Sequence, residues 1–255
     1  MKNQFEELIS KENLTEEEKA MLEPYRAKRA IFLAAGLGSR LRPITINTPK
    51  PMVRVHGVRI IDTLIDACLK AGIEEIYLVR GYLAEEFNNL LYKYPMIHFI
   101  DNTSFDKANN ISSAMLARDF LQNAYVLEAD LLVSNPNIIR KYHYRSEVLG
   151  IWKEETNDWC LETDENNIVI DEKTSGENCY QMVGIYYWNA EDGKKLASHI
   201  AHVYETEEGR QRYWETVPNQ VFKGKYQIEV IPCEDKDIVE IDTFEELKAI
   251  DAIYS

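Results

Sequence analysis

Four short apolar runs, separated by stretches of helical periodicity, restrict the fold of this chain more than any other feature. Ala30-Ile-Phe-Leu-Ala34, Ile76-Tyr-Leu-Val79, Ile97-His-Phe-Ile100 and Ala124-Tyr-Val-Leu127 have the length and apolar continuity of buried strands. Between them, Ile60 to Ala71 sets Ile61, Leu64, Ile65, Cys68 and Leu69 on one helical face, with Gly72 as a C-terminal stop. Leu83–Tyr92 and Ser112–Leu121 read as further helices. Strands alternating with helices predict an α/β fold on a doubly wound, mostly parallel sheet. Ligands of such sheets bind beyond the carboxyl ends of the strands.

The pattern changes after Asp130. Val148–Trp152, Cys160–Thr163, Ile168–Ile170 and Val183–Trp188 are short strands joined by polar turns, which predicts a mixed or antiparallel second half. Lys194–Tyr204 reads as a helix, Ile228–Ile231 and Ile238–Ile241 as late strands, and Phe244–Ile253 as a closing helix. Ahead of Arg29 lies a polar helical stretch. Thr15 and Glu18 form a capping-box pair there, Leu14, Met21 and Leu22 make a narrow apolar stripe, and Pro24 interrupts the pattern. The expected division is an appendage over residues 1–28, packed on the main domain or on another subunit, and a main domain over residues 29–255. A homo-oligomer is compatible with this reading.

Composition sets outer bounds. A chain of 255 residues with 45% apolar content can bury a sizeable core. No window approaches the ~20 apolar residues that span a bilayer, and Met1-Lys-Asn-Gln-Phe-Glu-Glu lacks the apolar core of a signal peptide. The expectation is a cytoplasmic protein with no membrane partner. A net charge of −14 argues against nucleic acid, whose phosphates favour a basic surface. It leaves room for a small phosphorylated ligand held by a few local cations and a divalent metal. Cys68, Cys160, Cys179 and Cys233 show no metal or disulfide spacing, and the five histidines form no cluster.

The first apolar run ends in Gly36 and Gly38, followed by Ser39-Arg-Leu-Arg42 and, a short loop later, Lys50. Glycines at a strand end let backbone N–H groups approach an anion. The pair alone is weak, because it lacks the third glycine of a dinucleotide fingerprint and the Gly-Lys-Ser/Thr of a P-loop. Asp130 and Asp242 each end a strand-like run, where a carboxylate points into the ligand crevice. Mg²⁺ is commonly held by one or two carboxylates together with substrate phosphates, and two such aspartates fit that need. Either could instead be a helix cap: Asp242 precedes a helix, with Glu245 three residues on.

The full string Leu33-Ala-Ala-Gly-Leu-Gly-Ser-Arg-Leu-Arg-Pro43, with Thr48-Pro-Lys-Pro-Met52, resembles the signature of the sugar-phosphate and choline-phosphate nucleotidyltransferases. The resemblance runs from Arg29 to Ile253. It implies a Rossmann-like, doubly wound mixed sheet of the nucleotide-diphospho-sugar transferase type, with a small second antiparallel sheet. It also implies that Leu33, Ala34, Ala35, Gly36 and Gly38 hold the base and ribose of a nucleoside triphosphate. Ser39, Arg40 and Lys50 would face its phosphates, and Asp130 and Asp242 would be the metal ligands. Lys50, Arg40 and the two aspartates are thus the expected catalytic set, with Mg²⁺ as cofactor. The chemistry implied is in-line displacement at the α-phosphate without a protein nucleophile.

Aromatics crowd the second half, and two clusters have acidic or amide neighbours: Thr156-Asn-Asp-Trp159 and Arg212-Tyr-Trp-Glu215. Aromatic faces with a nearby carboxylate suit a quaternary ammonium. Together with Gly81-Tyr82, Asn109-Asn110 and Glu240-Ile-Asp242, these stretches are similar to the bacterial CTP:phosphocholine cytidylyltransferases of the Lic type. The similarity adds Tyr82 and Asn109 to the nucleotide site. It places Trp159, Tyr213 and Glu215 around choline, with glutamate at 215 where the family usually has aspartate. A helical segment would separate Tyr213 from Glu215 and offer Trp214 instead, so the register stays open. The activity implied is transfer of CMP from CTP to phosphocholine, with CTP and phosphocholine as small-molecule partners. A sugar-1-phosphate nucleotidyltransferase using dTTP, UTP or GTP, and a non-catalytic nucleotide-binding protein, are the alternatives.

Overall fold

A computed structural model describes residues 2–255. In chain order the strands are β1 (Arg29–Ala34), β2 (Arg54–Val55), β3 (Val58–Arg59), β4 (Glu75–Arg80), β5 (Ile97–Asp101), β6 (Ala124–Glu128) and β7 (Leu131–Val133). They continue with β8 (Glu147–Thr156), β9 (Cys160–Thr163), β10 (Val169–Lys173), β11 (Gly176–Trp188), β12 (Glu229–Cys233) and β13 (Ile238–Glu240). The helices are α1 (Lys2–Ile9), α2 (Glu16–Leu22), α3 (Ile60–Lys70), α4 (Ile111–Ala117), α5 (Ala190–Tyr204), α6 (Glu207–Arg210) and α7 (Phe244–Ile250).

The four apolar runs become β1, β4, β5 and β6. They pair in parallel, with β1 between β4 and β6. Side chains alternate across the sheet and fill two cores. Phe32, Leu78 and Leu127 face α3 residues Ile61, Leu64 and Ile65. Ile31, Leu33, Val79 and Val126 face Ile111 and Ala114 of α4 and Leu196 and Ile200 of α5. Burial on both faces is why these strands read as continuous apolar runs rather than alternating ones.

Most of the second half extends this same sheet. β11 runs antiparallel to β6, β8 antiparallel to β11, and β12 parallel to β8, so the order is β5-β4-β1-β6-β11-β8-β12. The β9–β10 hairpin adds alongside the first half of β11. β7 and β13 form a small antiparallel ladder in which Glu240 lies opposite Leu131. That ladder brings the stretch before Asp242 beside the stretch after Asp130.

Some element boundaries differ from the sequence reading. Ala84–Tyr92 is a 3-10 helix, whose near-threefold repeat stacks Phe87 and Leu90 into the core. The α4 helix ends at Ala117 and continues as a 3-10 turn. Thr15 and Glu18 close a full capping box on α2, but Met21 is exposed and only Leu22 of that helix is buried. Phe5, Leu8 and Leu22 pack on Tyr25, Tyr142 and Tyr144 of the same chain. Among the described residues no helix is long and apolar enough to cross a membrane.

Candidate active site

The chain beyond β1 is shaped by two glycines with different duties. Gly38 adopts φ +58°, and a Cβ there would lie 2.9 Å from the Lys50 Cβ and 3.2 Å from the Thr45 methyl. Only glycine takes that backbone and that contact without strain. Gly36 has no neighbour within 4 Å of a would-be Cβ, so it opens onto space. The Thr45 hydroxyl donates to the Gly38 carbonyl at 2.8 Å and fastens the turn. Tyr82, expected at the nucleotide, instead braces the loop: its N–H donates to the Ala35 carbonyl at 3.1 Å and its hydroxyl to the Thr45 carbonyl at 2.9 Å. It does not line the cavity above the loop.

That cavity, about 560 Å³, is walled by the whole stretch Leu33–Arg40 together with Lys50, Asn109, Asp130 and Asp242. Polar Asn110 of the Asn109-Asn110 pair also lines it, together with Asn102, Ser112 and Ser113, which carried no signal in the sequence. A second cavity of about 290 Å³ adjoins it and is lined by Trp159, Tyr213 and Glu215, with Asp158, Glu128, Glu172 and Glu240. Arg40, Asn110, Glu128, Asp130, Tyr213 and Asp242 line both. The Trp159 and Tyr213 rings stand 5.7 Å apart at 63°. Residues 213–215 are not helical, so Tyr213 and Glu215 face the cavity together. Trp214 turns away into the core against Tyr186 and Trp188 and lines neither cavity, which removes it from the expected choline set.

At the junction sits Lys50. Its Nζ lies 2.7 Å from Asp130 Oδ2 and 2.7 Å from Asp242 Oδ1, and Arg40 Nη2 reaches the same Asp242 oxygen at 2.8 Å. The capping alternative for Asp242 fails, because Thr243 caps α7 with Glu246 as its reciprocal partner. Glu240 completes a triad: one oxygen each from Asp130, Glu240 and Asp242 lie within 4.8 Å of one another, a set able to hold a divalent metal. Asp130 Oδ1 is buried without a hydrogen-bond partner among the described residues, as an oxygen reserved for a cation would be. Glu240 had a legible signal. Glu128-Ala-Asp130 and Glu240-Ile-Asp242 repeat the same acid-x-acid spacing, which sets both acids of each pair on one side of an extended chain.

Residues 29–248 match the nucleotidyl transferase family. The chain belongs to that family. It is 36% identical to a 2-aminoethylphosphonate cytidylyltransferase of Lancefieldella rimae, over 88% of this chain and 92% of that protein. It is 32% identical to a choline-phosphate cytidylyltransferase of Streptococcus pneumoniae, over 88% and 97%. The solved structure of a CTP:phosphocholine cytidylyltransferase from Streptococcus pneumoniae superposes with a TM-score of 0.81 at 31% identity, covering 90% of this chain and all of that one.

For a nucleotidyltransferase the electrostatics of the junction are informative. Burial alone would lower the Lys50 pKa, but the Asp130 and Asp242 carboxylates outweigh it and hold the ammonium charged. Burial works against the Asp242 charge, yet its bonds to Lys50 and the nearby Arg40 keep its pKa below the usual carboxylate value. For Glu240 the Lys50 charge is too little help: burial, with the Asp130 and Asp242 charges, pushes it up to about 8. Burial likewise raises Glu215 to about 7 and Glu128 well above its ordinary value, Glu128 also feeling the Glu215 and Asp130 charges. A fixed cation at the junction is what charge build-up on a transferring phosphate requires.

Proposed function

We propose that this protein is a cytidylyltransferase that moves CMP from CTP to a small phosphate or phosphonate with a positively charged head group, the class to which phosphocholine belongs. One observation carries the reading: the aromatic, carboxylate-rich cavity opens onto the same Lys50–Asp130–Asp242 junction as the glycine-loop cavity. CTP occupies the larger cavity, with base and ribose along Leu33–Gly38 and the phosphates toward Ser39, Arg40 and Lys50. The acceptor occupies the smaller one, its cationic end between Trp159, Tyr213 and Glu215 and its phosphate at the junction. Seven acids and a single cation, Arg40, line that cavity, which suits a cationic head and gives a neutral sugar no advantage. Both cytidylyltransferase relatives are named for acceptors of this cationic class.

Asp130, Glu240 and Asp242 fit Mg²⁺ by donor chemistry and by the unpartnered Asp130 oxygen. Bound there, the ion would neutralise triphosphate charge. The remaining work belongs to the chain. An acceptor oxygen attacks the α-phosphorus, a new P–O bond forms, the bond to the bridging oxygen breaks, and pyrophosphate leaves with that electron pair. Lys50 stabilises the charge that accumulates on the α-phosphate, and Arg40 holds Asp242 in place.

Pyrophosphate release measured over a matrix of triphosphates and phosphorylated acceptors tests this. CTP with a cationic acceptor should exceed UTP with glucose-1-phosphate by orders of magnitude. Parity between them sinks the reading, and a folded, CTP-binding protein with no turnover at all would instead be a nucleotide sensor.

A further inference from the structure

The carboxylates of the acceptor cavity are supported in an unusual way. Glu172 and Glu215 are each only 5% exposed, and Glu128 lines the cavity beside them. Among the described residues none of the three pairs with a lysine, arginine or histidine; their partners are side-chain amides, and Glu128 and Glu215 also hydrogen-bond to each other. Asn110 Nδ2 donates to Glu128 Oε1 at 3.2 Å and to Glu215 Oε2 at 3.3 Å. Asn219 Nδ2 donates to Glu172 Oε2 at 2.5 Å, and Gln220 Nε2 to Glu172 Oε1 at 3.0 Å. The amides are themselves anchored. The Trp214 N–H donates to Asn110 Oδ1 at 2.8 Å, and Asn219 Nδ2 also donates to the Tyr186 hydroxyl at 3.1 Å. An amide orients a carboxyl group without setting a fixed cation beside it, so the place of the cation stays open to a ligand.

The backbone is fitted to one of these acids. β11 shifts register between Met182 and Tyr186, and Gly184 inside that irregularity has φ +69°. A Cβ on Gly184 would stand 2.8 Å from Glu128 Cγ. The bulge clears space for the Glu128 side chain.

The aromatic side of the cavity is thinner. Trp159 and Tyr213 are two rings at its mouth, Tyr213 is 48% exposed, and Trp214 is committed to the core. A trimethylammonium ion carries no N–H and gains most from enclosing ring faces. A primary ammonium carries three donors and gains most from desolvated carboxylates, which it leaves satisfied. Methyl groups pressed against three buried acids would offer them no N–H in place of the water they displace, which is costly.

We infer that the acceptor cavity selects a primary ammonium head over a trimethylammonium one, and that Glu128 and Glu172 act with Glu215 as the specificity-determining residues. The inference rests on the acceptor reading proposed above and narrows its substrate class to ω-amino phosphates and phosphonates.

The test compares 2-aminoethyl phosphate with phosphocholine, which differ only in three N-methyl groups, as acceptors with saturating CTP. For the wild-type protein kcat/KM should favour the primary amine by about tenfold or more, since sites built around hydrogen bonds discriminate strongly against ligands that lack the donors. Glu128→Gln and Glu172→Gln should each shrink that ratio through the acceptor KM, with thermal melting and circular dichroism reporting that the variants fold. A wild-type ratio at or below one overturns the ammonium assignment and leaves the cationic-acceptor reading standing. A ratio unmoved in both folded variants overturns the assignment of the residues. Absence of pyrophosphate with every cationic acceptor overturns both readings together. The wild-type ratio decides the head group even where a variant fails to fold.

Discussion

Two groups of acids lie within one connected crevice, and they are held by opposite means. Asp130 and Asp242 grip a lysine at 2.7 Å on each side, with Arg40 adding a second cation. Glu128, Glu172 and Glu215 are held by Asn110, Asn219 and Gln220. The first group is electrically answered from within, with Lys50 held charged and Asp242 kept below the usual carboxylate value. The second is unanswered, and burial drives its pKa values upward. The contrast teaches where each part of the reaction draws its charge: the junction carries its own cation, while the acceptor cavity waits for one to arrive with the substrate.

The largest expected effect breaks the first group. Lys50→Ala should lower kcat by about 10²–10³-fold, the usual cost of one oriented charge at a transferring group, with a much smaller change in acceptor KM. Steady-state kinetics would show it, and a pure KM effect would mean that Lys50 only binds. Asp130→Asn comes next. It should raise the Mg²⁺ concentration for half-maximal rate by about 100-fold or more, since losing even outer partners of a metal ligand costs ~10–100-fold. An unchanged Mg²⁺ titration would remove the triad as the metal site.

Trp159→Ala probes the second group and should act more gently. A partly exposed cation–π contact of about 0.5–2 kcal/mol corresponds to a rise of roughly 2–30-fold in acceptor KM. CTP KM should move less, and equal shifts in both would remove Trp159 from the acceptor site.

The smallest effect is on stability. Glu215 is raised to about 7 in the folded protein by burial, above its ordinary value of 4.5. Its contribution is therefore complete below the unfolded carboxylate range and is lost as pH climbs through about 7. Without ligands, the melting temperature should fall between about pH 4.5 and pH 7, and Glu215→Gln should make that fall shallower. A slope unchanged in the variant would assign it to Glu128, Glu172 and Glu240, which burial also raises.

How much of this was legible depended on range. β1, β4, β5 and β6 announced themselves because strands covered on both faces must be apolar throughout. The glycine loop, Lys50 and the two aspartates were legible as chemistry at strand ends. Glu128 and Glu240 were visible in the repeated acid-x-acid spacing, yet the spacing alone does not reveal which acids share a cavity. Glu172 carried no local signal, since only the return of the β9–β10 hairpin along β11 brings it to the acceptor wall. Trp214 and Tyr213 were ambiguous for a related reason. Their orientation is set by a non-helical turn tied down through Asn110, a contact across 104 positions of sequence. The second half read as mixed or antiparallel strands, but its attachment to β6 was not legible, because short polar-flanked strands look alike whether they start a new sheet or extend an old one.

The small ladder of β7 and β13 has a consequence in time as well as in space. It joins Leu131 to Glu240 and so brings together two carboxylates that leave the ribosome more than a hundred residues apart. A nascent chain acquires its phosphate loop and lysine early, but Lys50 meets its second aspartate only after Ile238–Glu240 has emerged and paired. Assembly of the junction thus coincides with closure of the C-terminal end of the fold, and a chain stopped before β13 would keep half a site.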